Sequence, residues 1–133
     1  MFSGTPPAHL GVRDGRLEPC PDTPNCVNSQ SQGTHHIAPL MFTDAPDEAL
    51  ARLKAIVSRL PRVRIEAESA GYLRAEAASR WIGFVDDLEF HLDSSARVIH
   101  VRSAARLGYS DFSVNRKRIE TIRSQFAPSS PAR

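Results

Sequence analysis

The residue types able to do chemistry fall into three sets. The first is a row of alternating polar positions, Arg74 and Glu76, then Asp87, Glu89 and His91, then His100 and Arg102. Carboxylates beside imidazoles could perform acid–base chemistry, and Asp86, Asp87 and Glu89 could hold a cation. Two features weigh against this. In a regular strand Asp86 and Asp87 point to opposite faces. Asp87 and Glu89 also sit among arginines, which favour the charged carboxylate and suit neither to donate a proton. No catalytic residue is therefore assigned. A hydrolase using Asp87 or Glu89 with His91 or His100 is the alternative, and mutual ion pairing is the default.

The second set is Cys20, Cys26, His35 and His36. A thiol enzyme needs a thiolate beside a base, and nothing in the sequence brings these groups together. Zinc would accept all four ligand types, but five residues between the cysteines and two adjacent histidines depart from finger and ribbon spacings. No metal and no cofactor are expected. Two close cysteines in a proline-rich stretch fit a disulfide if the compartment is oxidising, and packed thiols otherwise; the residues leave both open.

The third set lies near the end: Arg106, Asn115 and Arg116, with Lys117, Arg118 and Arg123. It could grip a phosphate or an anionic lipid surface. The plainer reading is the solvated side of an amphipathic helix.

Strands and helices must position these groups. Asp44 reads as an N-cap, Pro46 sits in the first turn, and Leu50, Leu53, Val57 and Leu60 make one apolar stripe before Pro61 stops the helix. Residues 36–42 could be an edge strand, with Pro39 tolerable only there or at a bulge. Four strands follow, over 62–69, 72–79, 81–93 and 97–105, joined by short turns at Ala70-Gly71 and Ser94-Ser95. Short connections make neighbours antiparallel. Gly108 to Ser110 turn the chain into a last helix over 111–126, capped by Ser110 or Asp111, with Phe112, Asn115, Ile119, Ile122 and Phe126 inward. The expected fold is α+β: a two-layer sandwich with an antiparallel sheet of four to five strands (a meander) and two helices on one face, in the order α-β-β-β-β-α after a Pro/Cys-rich loop.

Strand parity divides this sheet. Leu73, Ala75 and Ala77, then Leu88, Phe90 and Leu92, then Ile99 and Val101 share the side facing the helices. Arg74, Glu76, Asp87, Glu89, His91, His100 and Arg102 share the other. That second face is either solvated, with cross-strand ion pairs, or a polar groove covered by the stiff loop over residues 17–35.

At 133 residues the chain is expected to be one domain over 17–127, with a flexible arm over 1–16 and a disordered tail over 128–133. A net charge of +2 and no concentrated basic stripe give no strong nucleic-acid signal. No apolar run approaches the roughly 20 residues that span a bilayer. No leader is visible at the start, so the chain as written reads as cytoplasmic.

Four segments, LEPCPDTPNCVNSQ, HHIAPL, YLRAEAASRWIGFVDDLEF and IHVRSAARLGYSDFSVNRKRIETIR, resemble a widespread family known only as a domain of unknown function, fourteen-ninety-nine. The resemblance spans roughly residues 10–126 and implies no activity. It picks out Cys20, Pro24, Asn25 and Cys26; Arg74, Glu76, Asp86, Asp87 and Glu89; and Arg102, Ser103, Arg106, Gly108, Asp111, Asn115 and Arg116. Many relatives look envelope-associated, so the cell envelope or periplasm is the alternative location. The expectation is a non-catalytic binding or structural module. Its site would join Arg74, Glu76, Asp87, Glu89 and Arg102 to Arg106, Asn115 and Arg116 beneath the Cys20–Cys26 loop. Its partner would be a small anionic ligand or another protein.

Overall fold

The computed structural model of the chain describes residues 7–78, 85–106 and 112–127. Its elements are β1 (Val12–Arg13), β2 (Arg16–Leu17), β3 (Cys26–Asn28), a 3-10 turn (Gly33–His35), β4 (Leu40–Met41), α1 (Pro46–Ser58), β5 (Val63–Ser69), β6 (Tyr72–Ala78), β7 (Val85–Asp93), β8 (Val98–Ala105) and α2 (Phe112–Phe126). Four sequence expectations fall outside the described residues: the start of the long strand at Trp81, the Gly108–Ser110 turn with its Ser110 or Asp111 cap, the inward side chain of Phe112, and the tail.

β5 to β8 form the expected antiparallel meander, and two further strands share the outer edge of β8. β3 pairs Cys26 with Ala104 and Asn28 with Arg102, and β4 pairs Leu40 with Ile99. The sheet therefore has six strands rather than four or five. β3 lies in the stretch read as loop. Three residues beside prolines carry no detectable periodicity, and only the open edge of β8 makes them a strand.

The helices close one face, and the fold is α+β as expected. Leu53, Ile56 and Val57 of α1 and Ile119, Ile122 and Phe126 of α2 join Leu73, Leu88, Phe90, Ile99 and Val101 in one apolar core. Leu50 and Leu60, expected within the stripe of α1, only flank that core, while Ala49 and Ile56 are buried in it. The N-cap of α1 is Ala45, not Asp44, with Pro46 at the first helical position. Asp44 instead binds Arg52, Oδ1 to Nη2 at 3.0 Å. Arg52's hydrogen bond holds the Asp44 carboxyl below its ordinary pKa.

The stretch expected as an arm, 1–16, contains β1 and the first residue of β2. β1 and β2 form a hairpin turned by Asp14-Gly15, whose φ values of 55° and 75° both lie in the left-handed region. Asp-Gly with two positive φ angles is the signature of a type I′ hairpin turn, whose twist matches the strands it joins.

Candidate functional site

The register confirms the parity argument and extends it across the sheet. One row runs Tyr72, His91, His100; the next runs Arg74, Glu89, Arg102, Asn28; the third runs Glu76, Asp87, Ala104, Cys26. This face is not solvated. Glu89 is 0% exposed, Asp87 2%, Arg102 3% and Glu76 5%. Hairpin β1–β2 and the Pro/Cys-rich loop cover it. Gly11 N–H donates to Glu89 Oε2 at 2.7 Å, and Gln30 Oε1 accepts from Leu17 N–H at 2.8 Å.

Covered charges must be paired, and two clusters form. In the first, the Arg106 guanidinium reaches Asp87 Oδ1 at 2.6 Å and Glu76 Oε2 at 2.9 Å. Arg74 adds contacts to the same carboxylates at 3.2 and 3.6 Å. Burial alone would raise the pKa of Glu76, but the hydrogen bond and charge of Arg106, then those of Arg74, outweigh it and the net direction is down. The hydrogen bond to Asp87 holds Arg106 above the ordinary arginine value despite burial.

The second cluster is incomplete. Glu89 Oε2 accepts from Tyr72 Oη–H at 2.6 Å as well as from Gly11. Arg102 Nη1 lies 3.7 Å from Glu89 Oε1, an ion pair without a hydrogen bond. Arg102 Nε and Glu89 Oε1 are buried and find no hydrogen-bond partner among the described residues. Burial draws the pKa of Arg102 down, with the Glu89 charge opposing it. Burial, then the hydrogen bond to Glu89, pushes the Tyr72 hydroxyl well above its ordinary value. Tyr72→Phe removes one of the two donors to Glu89 and should lower stability by about 1–3 kcal/mol. Urea unfolding measures it; an unchanged midpoint would mean the hydroxyl contributes nothing.

Above this floor lies a cleft of about 560 Å³. Asp87, Arg102 and Arg106 line it from below, and Glu18, Cys20 and Asn25 line it from the loop. Cys20 and Cys26 are joined in a disulfide with Cα atoms 5.7 Å apart, so neither sulfur is a free thiolate or a zinc ligand. The bond ties the cleft wall to β3. Breaking it should cost about 2–3 kcal/mol, and a reductant should lower the wild-type urea midpoint to that of a Cys20→Ala/Cys26→Ala variant. Reductant leaving the wild-type midpoint unmoved would show that the tie is absent.

Of the expected site residues, Asp87, Arg102 and Arg106 line the cleft, and Arg74, Glu76 and Glu89 support them from the same face. The others do different jobs. Asn115 lies on α2, where its Oδ1 accepts from Ser103 Oγ–H and its Nδ2 donates to the Asn25 carbonyl at 3.2 Å. It braces the end of the loop from the helix side. Arg116 donates to the Thr34 and His36 carbonyls at 2.9 and 3.0 Å. Arg118 holds Asp86, and Arg123 holds the Ala38 and Pro39 carbonyls. Three of the cations on α2 are thus engaged within the fold, Arg116 and Arg123 by loop carbonyls and Arg118 by Asp86 of β7, while Lys117 is exposed.

The histidines expected at the site, His91 and His100, and those beside the cysteines, His35 and His36, lie apart from the cleft lining, which instead includes His9. His91 and His100 stack with ring centroids 6.4 Å apart. His100 Nδ1 meets Ser29 Oγ at 3.1 Å, and burial draws its pKa down. His35 and His36 each bond a backbone carbonyl. Tyr72 and Glu18 went unmarked in the sequence. Tyr72 had a usable signal, because it shares strand parity with Arg74; Glu18 had none outside its loop.

A family model described as a protein of unknown function (DUF1499) matches residues 16–126. The chain belongs to that family. The match includes the floor, the loop and the cleft lining except Pro7 and His9, and it brings no activity with it. No curated protein matches the chain. Among the described residues no helix is long and apolar enough to cross a membrane.

Proposed function

We propose that residues 17–127 form a non-catalytic binding domain that holds a small anionic ligand in the cleft, with Arg102 as the anchor. One observation carries this: the Arg102 guanidinium lines the floor of the cleft, only 3% exposed, and donates no hydrogen bond to any described residue, its one ionic partner being Glu89 at 3.7 Å. A buried donor without a partner is costly, and a charged one more so. A carboxylate or phosphate oxygen would answer it with charge-assisted hydrogen bonds, and the planar guanidinium suits such an oxyanion.

The hydrolase alternative draws no such support. Asp87 is held by Arg106 and Arg74, Glu89 Oε2 is already bonded to Tyr72 and Gly11, and neither His91 nor His100 lines the cleft; His9 does, but it makes no described hydrogen bond or ion pair with either carboxylate. The Cys20–Cys26 bond favours an oxidising compartment, the periplasm or cell envelope, over the cytoplasm.

The test is thermal shift with acetate, succinate and inorganic phosphate against matched neutral amides. Binding to the native state raises the midpoint. Anions alone should raise it, saturably, and Arg102→Lys, which keeps the charge but loses the fork, should weaken binding about tenfold. Equal shifts from amides, or an unaffected Arg102→Lys, would reject the proposal.

A further inference from the structure

The cleft is electrically mixed, and this restricts the ligand further. Its lining carries the charges of Arg102, Arg106, Asp87 and Glu18, with the imidazole of His9 beside them. Arg106 and Asp87 satisfy one another at 2.6 Å. That leaves the Arg102 guanidinium on the floor and the Glu18 carboxylate on the loop. The nearest cation to Glu18 is Arg13 at 3.9 Å, with side chains 56% and 40% exposed, a pairing that holds neither group firmly. No described residue donates a hydrogen bond to the Glu18 carboxylate, whereas its backbone carbonyl is fixed by Asn28 Nδ2 at 2.8 Å. The chain is thus anchored at Glu18 while its carboxylate remains available. Glu18 and Arg102 are close enough for the Glu18 charge to favour the charged guanidinium.

A multiply charged anion such as pyrophosphate would meet Arg102 but also be repelled by Glu18. We infer that the ligand is a zwitterion, an amino carboxylate whose carboxylate meets Arg102 and whose ammonium meets Glu18. This rests on the anion-site reading above and adds Glu18 as the residue that selects among anions. Pro7, Pro19 and Pro21 supply stiff apolar walls for the carbon chain between the two charges. A volume near 560 Å³ lies within the roughly 300–1,000 Å³ of small-molecule sites.

The experiment is calorimetric titration with glycine, β-alanine, γ-aminobutyrate and ε-aminocaproate, each against the same carboxylate without its amine. The graded lengths measure the separation of the two charges. At least one amino carboxylate should bind about tenfold tighter than its amine-free counterpart. Glu18→Gln should erase that margin, weakening the amino carboxylate and, with the repulsion gone, strengthening the plain carboxylate. The Glu18 carboxylate accepts no described hydrogen bond and its side chain is 40% exposed, so the variant should keep the wild-type melting midpoint. If plain carboxylates bind through Arg102 but no amine adds affinity, the zwitterion inference is overturned and the anion site stands. If neither series binds, both are overturned. If amino carboxylates bind tighter and Glu18→Gln leaves the margin intact, Glu18 is not the selecting residue and the inference fails.

Discussion

Arg102→Leu should lower the free energy of unfolding by about 3–5 kcal/mol, because it leaves a fully buried carboxylate without its cation. Glu89 is 0% exposed and Arg102 supplies its ion pair at 3.7 Å. The loss should come from the stranded charge more than from the pair itself. Replacing both members by apolar residues, Arg102→Leu with Glu89→Leu, should therefore restore much of the stability, as apolar substitutes for buried pairs often do. Gly11 and Tyr72 would then lose their acceptor, so recovery should stop short of wild type. Arg59→Leu, an exposed change at the end of α1, is the control and should stay within about 0.5 kcal/mol. Arg102→Leu melting no lower than Arg59→Leu would show that the face is not a closed ionic layer.

Arg106→Met should cost a similar amount, about 3–5 kcal/mol, and should also alter the pH dependence. In the wild type the Glu76 carboxyl has a folded-state pKa below its ordinary value. Its contribution to stability is present above the unfolded pKa and is lost as pH falls through the folded one, so stability rises with pH across about pH 3–5. Burial is the largest influence on Glu76 and acts upward, opposed by Arg106 and then Arg74. Without Arg106 the carboxyl moves up, the difference from the unfolded chain shrinks, and the rise of stability with pH should flatten. Urea unfolding of both proteins across that range measures the slopes. Parallel curves would contradict the role given to Arg106.

Much of this was legible in the sequence because period-two alternation is a physical property of strands. Leu88, Phe90 and Leu92 against Asp87, Glu89 and His91 place the apolar and charged layers on their correct sides from the sequence alone. Burial of the charged layer was not legible. It depends on the loop and hairpin folding over the sheet from far away in the chain, as Gly11 does in bonding Glu89. The Asp14-Gly15 turn carried a readable hairpin signal, but strands of two residues have no period to support it. Asn115 is inward as its helix position implied, but what it and Arg116 hold could not be read. Helix position tells which side a residue occupies, while the carbonyls of Thr34, His36 and Asn25 that engage them lie in irregular segments whose path no local rule fixes.

Arg102 is where fold and function meet, and its Nε–H can be observed directly. Arginine side-chain NMR during titration with acetate and with γ-aminobutyrate is the decisive measurement. The Arg102 Nε–H signal should be protected from exchange with water and should move saturably as ligand is added. A signal that exchanges as fast as an exposed arginine's, or that stays fixed throughout both titrations, would contradict a buried anchor waiting for an anion.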